Sequence, residues 1–325
     1  MTDSFPAIEV GHLSKQYGMV RAVDGISFVV GRGELFGFLG PNGAGKTTTI
    51  NLLTGLARPD EGTLVVGGID CLRNPKAAQG RIGIVPDESN LYPELTGFEN
   101  LSFCGALYGM SRARRRTRSR ELLSDFGLAE AADRKFAGYS RGMKRRLTIA
   151  AGIIHDPEIL FLDEPTTGID VAGARQIRRL IGDLHAAGTT IFLTTHYIEE
   201  AERLCDRVAF IVAGRIAGID TVDRFIQPVR EKHVVQISCA SLGDGTARGL
   251  AVAFPDLGFR DISPGVIRVE ADRAVPVGPL VRFLEERGAE VTEARRVRPS
   301  LEDVFVEITG VEAAAMYKEK AGGGR

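Results

Sequence analysis

The nine residues Gly40–Thr48, GPNGAGKTT, constrain this chain more than any other stretch. They match G-x-x-x-x-G-K-[ST], and the flanks supply the context that pattern needs: GELFGFLG reads as a strand, and TTINLLTGL continues with helical spacing. Gly40, Gly43 and Gly45 let the backbone curl so that several amide N–H groups converge on one anion, and a triphosphate fits that concavity. The following helix adds its positive N-terminal end, Lys46 a point charge for the outer phosphates, and the Thr47 hydroxyl a ligand for Mg²⁺. The bland alternative, a glycine turn before a helix, explains neither the lysine nor the hydroxyl that follows it.

The chain is long enough for two cores: 325 residues, 44% hydrophobic and 26% charged, is ordinary globular composition. Its 41 basic and 42 acidic residues leave a net charge of -1, so nothing at whole-chain level asks for nucleic acid or a strongly anionic membrane. Cys71, Cys104, Cys205 and Cys239 lie far apart with no C-x-x-C pair, which reads as reduced structural thiols in a cytosolic chain. The N-terminus MTDSFPAIEVGHL has no basic region followed by an apolar run, so no signal peptide is expected. No apolar stretch approaches the roughly 18 residues needed to span a bilayer. Work at a membrane would require another polypeptide to supply the spanning part.

Residues 7–38 read as strand-rich, punctuated by Gly and Asp turns. After the glycine loop and its helix come GTLVVGGIDC, a hairpin, and RIGIVPDE, a buried strand ending at Pro86. From Pro93 to about Asp156 helical periodicity dominates, as in a helical subdomain inserted into an α/β core. Within it Ser111–Arg120, SRARRRTRSR, reads most simply as a solvated helix face; contact with lipid headgroups or an acidic loop of a membrane partner is the alternative. From Glu158 strand and helix alternate again, through EILFLDEP, TTIFLTTH and the pair RVAFIVAG and RIAGID, as a doubly wound parallel core requires. A second unit starts near Pro228 with HVVQISCA, a Gly-rich loop, GVIRVEA, the helix GPLVRFLEERG, the strand EVTEARRV and the helix LEDVFVEITG. The expected organisation is a nucleotide-binding domain over 1–227 with its helical subdomain at about 93–156, an accessory α/β domain over 228–310, and a flexible tail over 311–325.

The run ILFL puts Asp163 and Glu164 at the C-terminal end of a buried strand, the ligand edge of a parallel sheet. Asp163 suits holding Mg²⁺ through its water shell, and Glu164 suits polarising a water in line with the γ-phosphate. The bland reading has the two acids merely capping the next helix. YSRGMKRRL opens a helix with Ser140 and Gly142, a hydroxyl and a close-approach glycine at a helix N-terminus, which makes a second anion site. One copy has no second phosphate to put there, so the site asks for a phosphate delivered by another molecule.

Taken together, residues 7–225 resemble the ATP-binding subunit of ABC transporters. That family's motifs occur in its order: Tyr17, GPNGAGKT, YSRGM, ILFLDE, TTGID, and TTH ending in His196. The resemblance implies an α/β fold: a P-loop NTPase core with a mixed or parallel sheet, an N-terminal antiparallel β subdomain and an inserted helical subdomain, with the small C-terminal α/β domain appended. It implies that Gly40, Pro41, Asn42, Gly43, Ala44, Gly45, Lys46, Thr47 and Thr48 hold ATP, and that Tyr17 stacks on adenine. Ser140 and Gly142 would reach the γ-phosphate bound by the opposite subunit, Asp170 would line the dimer interface, and His196 would hydrogen-bond the γ-phosphate. Catalysis would fall to Glu164, His196 and Lys46, with Mg²⁺ held by Thr47, Asp87 and Asp163.

Three positions, in two motifs, depart from the family. Asp87 stands where it usually has glutamine, adding a negative charge near a triphosphate, and the signature reads Ser-Arg-Gly-Met, with Arg141 and Met143 substituted while Ser140 and Gly142 survive. RPSLEDVFVEITG resembles the closing segment of the daunorubicin-resistance type of exporter ATPase, which points to export. The expectation is an ATP-hydrolysing motor that pairs head to tail with a second copy on the cytoplasmic face of the membrane and drives export through a separate integral membrane permease. Nucleic acid is not an expected partner. A soluble relative acting on DNA or ribosomes typically carries a coiled-coil insertion or tandem cassettes, which this chain does not show. A regulatory module that binds nucleotide without turnover is the third reading, motivated by Asp87 and Arg141.

Overall fold

In the computed structural model, which describes residues 5–241, 246–311 and 316, the apolar runs around the glycine loop are strands buried along their whole length. The chain forms two compact units, one built on the residues through Thr221 and the other on Val222–Glu307.

The first unit runs β1 (Ile8–Tyr17), β2 (Val20–Val30), β3 (Leu35–Leu39), α1 (Lys46–Leu53), β4 (Glu61–Val66), β5 (Ile69–Asp70), α2 (Pro75–Gln79) and β6 (Ile82–Val85). Then come α3 (Gly97–Leu107), α4 (Arg112–Asp125), α5 (Arg141–Gly152), β7 (Ile159–Asp163), α6 (Val171–Ala186), β8 (Thr190–Thr195), α7 (Ile198–Leu204), β9 (Arg207–Val212) and β10 (Arg215–Thr221). The N-terminal antiparallel sheet has the order β2-β1-β4-β5, and the main sheet β10-β9-β3-β8-β7-β6. In the main sheet all neighbours are parallel except the edge strand β10. Strands buried on both faces need no polar alternation, which is why LFGFL, ILFLD and TIFLTT read as continuous apolar runs.

Phenylalanines join the two sheets. Phe28 of β2 lies 5.6 Å from Phe36, 5.8 Å from Phe38 and 5.9 Å from Phe192, and Phe192 lies 5.6 Å from Phe161. All sit in one buried core, where each side chain contributes about 1.5–3 kcal/mol by leaving water. That core is the rigid floor beneath the loops at the strand ends. The parallel register sets Leu39 beside Thr195, Asp163 beside Thr194, and Val85 beside Leu162, so the residues that follow these strands emerge along one edge.

The second unit runs α8 (Val222–Arg230), β11 (His233–Cys239), α9 (Thr246–Ala253), β12 (Gly258–Ser263), β13 (Val266–Ala271), α10 (Val277–Glu285) and β14 (Val291–Val297), and α11 (Leu301–Thr309) begins in it. Its sheet is antiparallel throughout, in the order β12-β13-β11-β14. Val235, Ile237, Ile267 and Val269 of the sheet pack with Leu250, Leu280 and Leu284 in its core. The segment expected to be a Gly-rich loop contains α9 and β12. Both are short, and neither TARGLAVA nor GFRDIS carries a periodicity strong enough to stand out by itself. The tail expected over 311–325 lies outside the described residues apart from Val311 and Met316.

Candidate active site

The loop between β3 and α1 is held by its glycines. Gly45, the residue before α1, has φ +107°, and a Cβ there would fall 2.4 Å from the Ala22 carbonyl oxygen. Only glycine meets both conditions. The α1 N-terminus therefore opens directly into a cleft of about 750 Å³. Asn42, Gly43, Gly45, Lys46, Thr47 and Thr48 line one side of it, Asp87, Glu164, Thr167, Gly168, His196 and Tyr197 another, and Val20, Arg21, Ala22 and Ala213 complete it.

Lys46 is 6% exposed, and its ammonium donates to the Gly40 carbonyl at 2.7 Å and the Pro41 carbonyl at 3.2 Å, with Glu164 Oε1 at 3.1 Å. The other oxygen of Glu164 lies 2.8 Å from His196 Nδ1 and accepts from the Thr167 hydroxyl at 3.1 Å. Burial works to raise the Glu164 pKa, but the His196 hydrogen bond and the Lys46 charge outweigh it and hold the carboxyl below its ordinary value. The carboxylate is therefore ionised and aimed into the cleft at neutral pH. Its backbone has φ +47°, the left-handed region, which costs a non-glycine residue about 1–2 kcal/mol. Strain of this kind persists only where the surroundings impose it.

Asp163 is buried behind Glu164, and its Oδ1 accepts from the Thr194 hydroxyl at 2.5 Å. Asp87 follows β6 on the cleft wall. Partial burial pushes its carboxyl above the ordinary aspartate value; Arg145 pulls against this, while Asp163, Glu164 and Glu88 push the same way. The Thr47 hydroxyl is exposed in the cleft, and all these donors are hard oxygens. Among the described residues no three His, Cys, Asp or Glu side chains form a metal cage. The donor set suits a cation that completes its shell with phosphate and water, as Mg²⁺ does.

The remaining expected site residues lie off the cleft lining. Tyr17 ends β1 opposite Val20, 50% exposed, with the Lys15 ammonium 5.3 Å from its ring centre. Gly40, Pro41 and Ala44 form the back of the glycine loop, where the Ala44 amide donates to the Pro41 carbonyl at 3.1 Å. Ser140 caps α5, its hydroxyl accepting from the Met143 amide at 3.3 Å, and Gly142 lies in the first turn with open space beside its Cα. Asp170 caps α6, accepting from the Gly173 amide at 2.7 Å. Arg141 donates to the Gly168 carbonyl at 3.4 Å.

Sequence reasoning missed Thr167, Thr194, Arg145 and the Val20–Ala22 wall. Thr167 was within reach because it sits inside TTGID, and Thr194 because it precedes TTH's last two residues. Arg145 carried no signal, since KRRL reads as any exposed basic turn.

A family profile described as ABC transporter matches residues 23–167. A daunorubicin resistance ATP-binding protein of Streptomyces coeruleorubidus is 38% identical, over 94% of this chain and 96% of that protein. A fluoroquinolones export ATP-binding protein of Mycobacterium tuberculosis is 40% identical over 89% of this chain and 88% of its own length. Among solved structures, a dimeric ATP-binding cassette in a post-hydrolysis state, bound to ADP and Pi, superposes with a TM-score of 0.62 at 26% identity, covering 66% of this chain and 98% of that one. With the glycine loop, the strand-end carboxylates and the histidine meeting in one cleft, the chain belongs to the ABC transporter family as an ATP-binding subunit, an ATPase.

Proposed function

We propose that this subunit is the motor of an exporter, binding MgATP between two head-to-tail copies and hydrolysing it to drive a separate membrane permease. The observation that carries the catalytic part is the buried Lys46–Glu164–His196 network at the mouth of the glycine loop. An incoming triphosphate competes with Glu164 for the Lys46 ammonium. Glu164 is then left on His196 and Thr167, oriented to accept a hydrogen bond from the attacking water. Water attacks the γ-phosphorus, the bond to the β-phosphate oxygen breaks, and ADP and phosphate leave. Catalysis of this kind is positioning and electrostatics: α1 and Lys46 steady the phosphates, and His196 holds both the carboxylate and the γ-phosphate side of the cleft. Mg²⁺ would be held by Thr47, Asp163 and Asp87 and would neutralise charge between the outer phosphates.

Ser140 and Gly142 lie off this cleft, which supports a site completed by a second copy, as does the dimeric cassette among the similar structures. Tyr17 and Val20 together would carry the base, and Asp170 would lie at the interface. Among the described residues no helix is long and apolar enough to cross a membrane, so the permease would be another chain and this subunit would sit against it on the cytoplasmic face. Export is favoured by the names of the drug-resistance and export relatives. We assign the region 228–310 an accessory role that stabilises or pairs the motor.

Glu164→Gln tests the catalytic assignment. The variant should lose ATP turnover by about a hundredfold or more while still binding ATP and accumulating an ATP-bound dimer on size-exclusion chromatography. Undiminished hydrolysis removes Glu164 from the mechanism.

A further inference from the structure

We propose that Arg145 is a positioning residue for ATP hydrolysis: one buried guanidinium that holds the strained Glu164 and the Asp87 loop against the helix carrying Ser140 and Gly142. The inference rests on the reading of Glu164 as the residue that directs water.

Arg145 lies in α5 and is 6% exposed. Its Nη2 donates to the Asp163 carbonyl at 2.5 Å and its Nε to the Pro165 carbonyl at 2.8 Å. These carbonyls flank Glu164, the residue whose backbone sits in the left-handed region. The same side chain turns Nη1 to the Asp87 carbonyl at 3.0 Å and also to the Pro86 carbonyl. One rigid planar group therefore holds the carbonyls of the residues before and after a strained residue and fastens a second loop of the cleft to the same point. A lysine in this place could not, because a single ammonium lacks the fork that reaches carbonyls in several directions.

A second contact ties the same loop to the same helix: the Ser89 and Thr148 hydroxyls are 2.8 Å apart. α5 thus grips residues 86–89 at two places and the end of β7 at another, while its N-terminus presents Ser140 and Gly142. Burying a cation with only carbonyl partners is costly unless charge nearby offsets it. The Asp87, Asp163 and Glu164 carboxylates lie close enough to offset part of that cost, which burial still outweighs. The aspartate at position 87, which adds a negative charge beside the triphosphate, thereby has its counter-charge built into α5. Any shift of α5 when its N-terminus meets a phosphate is passed directly to Glu164 and to Asp87.

The test compares Arg145→Gln, Arg145→Lys and Glu164→Gln in the full chain. ATPase rates are measured across ATP concentration with Mg²⁺, and equilibrium binding is measured with a fluorescent ATP analogue. Displacing a water-directing group costs on the order of tenfold to a hundredfold in rate. The expected result for Arg145→Gln is a kcat at least tenfold lower with nucleotide affinity within about threefold of the parent, and Arg145→Lys should recover only part of the rate. A merely structural arginine would lower affinity and kcat together. That outcome, or a kcat within twofold of the parent, overturns the proposal. If Arg145→Gln does not fold, Arg145→Lys carries the same split between kcat and affinity. Normal turnover by Glu164→Gln would bring down the reading of the site independently of either arginine variant.

Discussion

At the scale of single residues, chemistry and backbone geometry meet most sharply in the glycine loop. Gly45 and Gly43 both have positive φ, +107° and +82°, yet their surroundings differ. A Cβ at Gly45 would strike the Ala22 carbonyl at 2.4 Å, whereas one at Gly43 would meet nothing within 4 Å. Gly43→Ala should therefore cost only the strain of the left-handed region, about 1–2 kcal/mol. Gly45→Ala adds a backbone clash and should cost clearly more, with the larger fall in denaturation midpoint measured without nucleotide. Equal losses for the two would show that the contact with β2 does not shape the loop. The G-x-x-x-x-G-K-[ST] pattern requires Gly45 and leaves position 43 open, but a spacing records only that a glycine is present and not what its Cβ would touch. Glu164 was legible from its place after ILFL; the network that ionises and strains it was not, since Lys46, Thr167 and His196 come from separate segments of the chain.

Among the elements, the start of a helix depends on local contacts, whereas its faces depend on distant ones. α3 starts with a full capping box: the Thr96 hydroxyl accepts from the Glu99 amide at 3.1 Å, and the Glu99 carboxylate accepts from the Thr96 amide at 2.8 Å. Thr96→Ala should cost about 1 kcal/mol of stability. Because α3 lies away from the cleft lining, ATP affinity should hold within twofold, read by thermal denaturation beside equilibrium nucleotide binding. A large loss of affinity would mean that α3 supports the cleft in some further way. The arginine run in α4 is partly structural, beyond a solvated face: Arg114 and Arg118 pair with Asp156 at 3.2 and 2.7 Å, and the Arg120 guanidinium lies 5.8 Å from the Phe98 ring centre. These partners stand 38 and 42 residues from the arginines they bind, or on the helix before, so no local pattern points to them.

For the whole molecule, the main question is whether one copy holds a complete site. Ser140 and Gly142 stand at the start of α5, apart from the cleft that Lys46 and Glu164 line. Gly142 has open space around it, so Gly142→Asp should fold normally and harm only an encounter with another copy's phosphate. Lys46→Ala and Gly142→Asp should each be inactive as pure dimers. Mixed at random, they should regain about a quarter of the parent ATPase rate, since half the dimers then keep one intact shared site. No recovery at any mixing ratio would argue that each chain works with its own helix α5.

By itself the sequence determined the class of the molecule. The glycine loop between strand and helix, the apolar strand ending in two carboxylates, and the ordered motifs up to His196 are local patterns, and local patterns survive being read one residue after another. Only the tertiary structure decided how they become a site. The parallel register of β3, β6, β7 and β8 brings four separate strand ends to one edge, and the Phe28, Phe36 and Phe192 core keeps that edge rigid. Arg145 shows the difference most plainly. In sequence it is one basic residue among several, and its place behind Glu164 exists only once α5 has packed against the ends of β6 and β7. Burial and hydrogen-bond partners are properties of that packing, which the order of residues does not record.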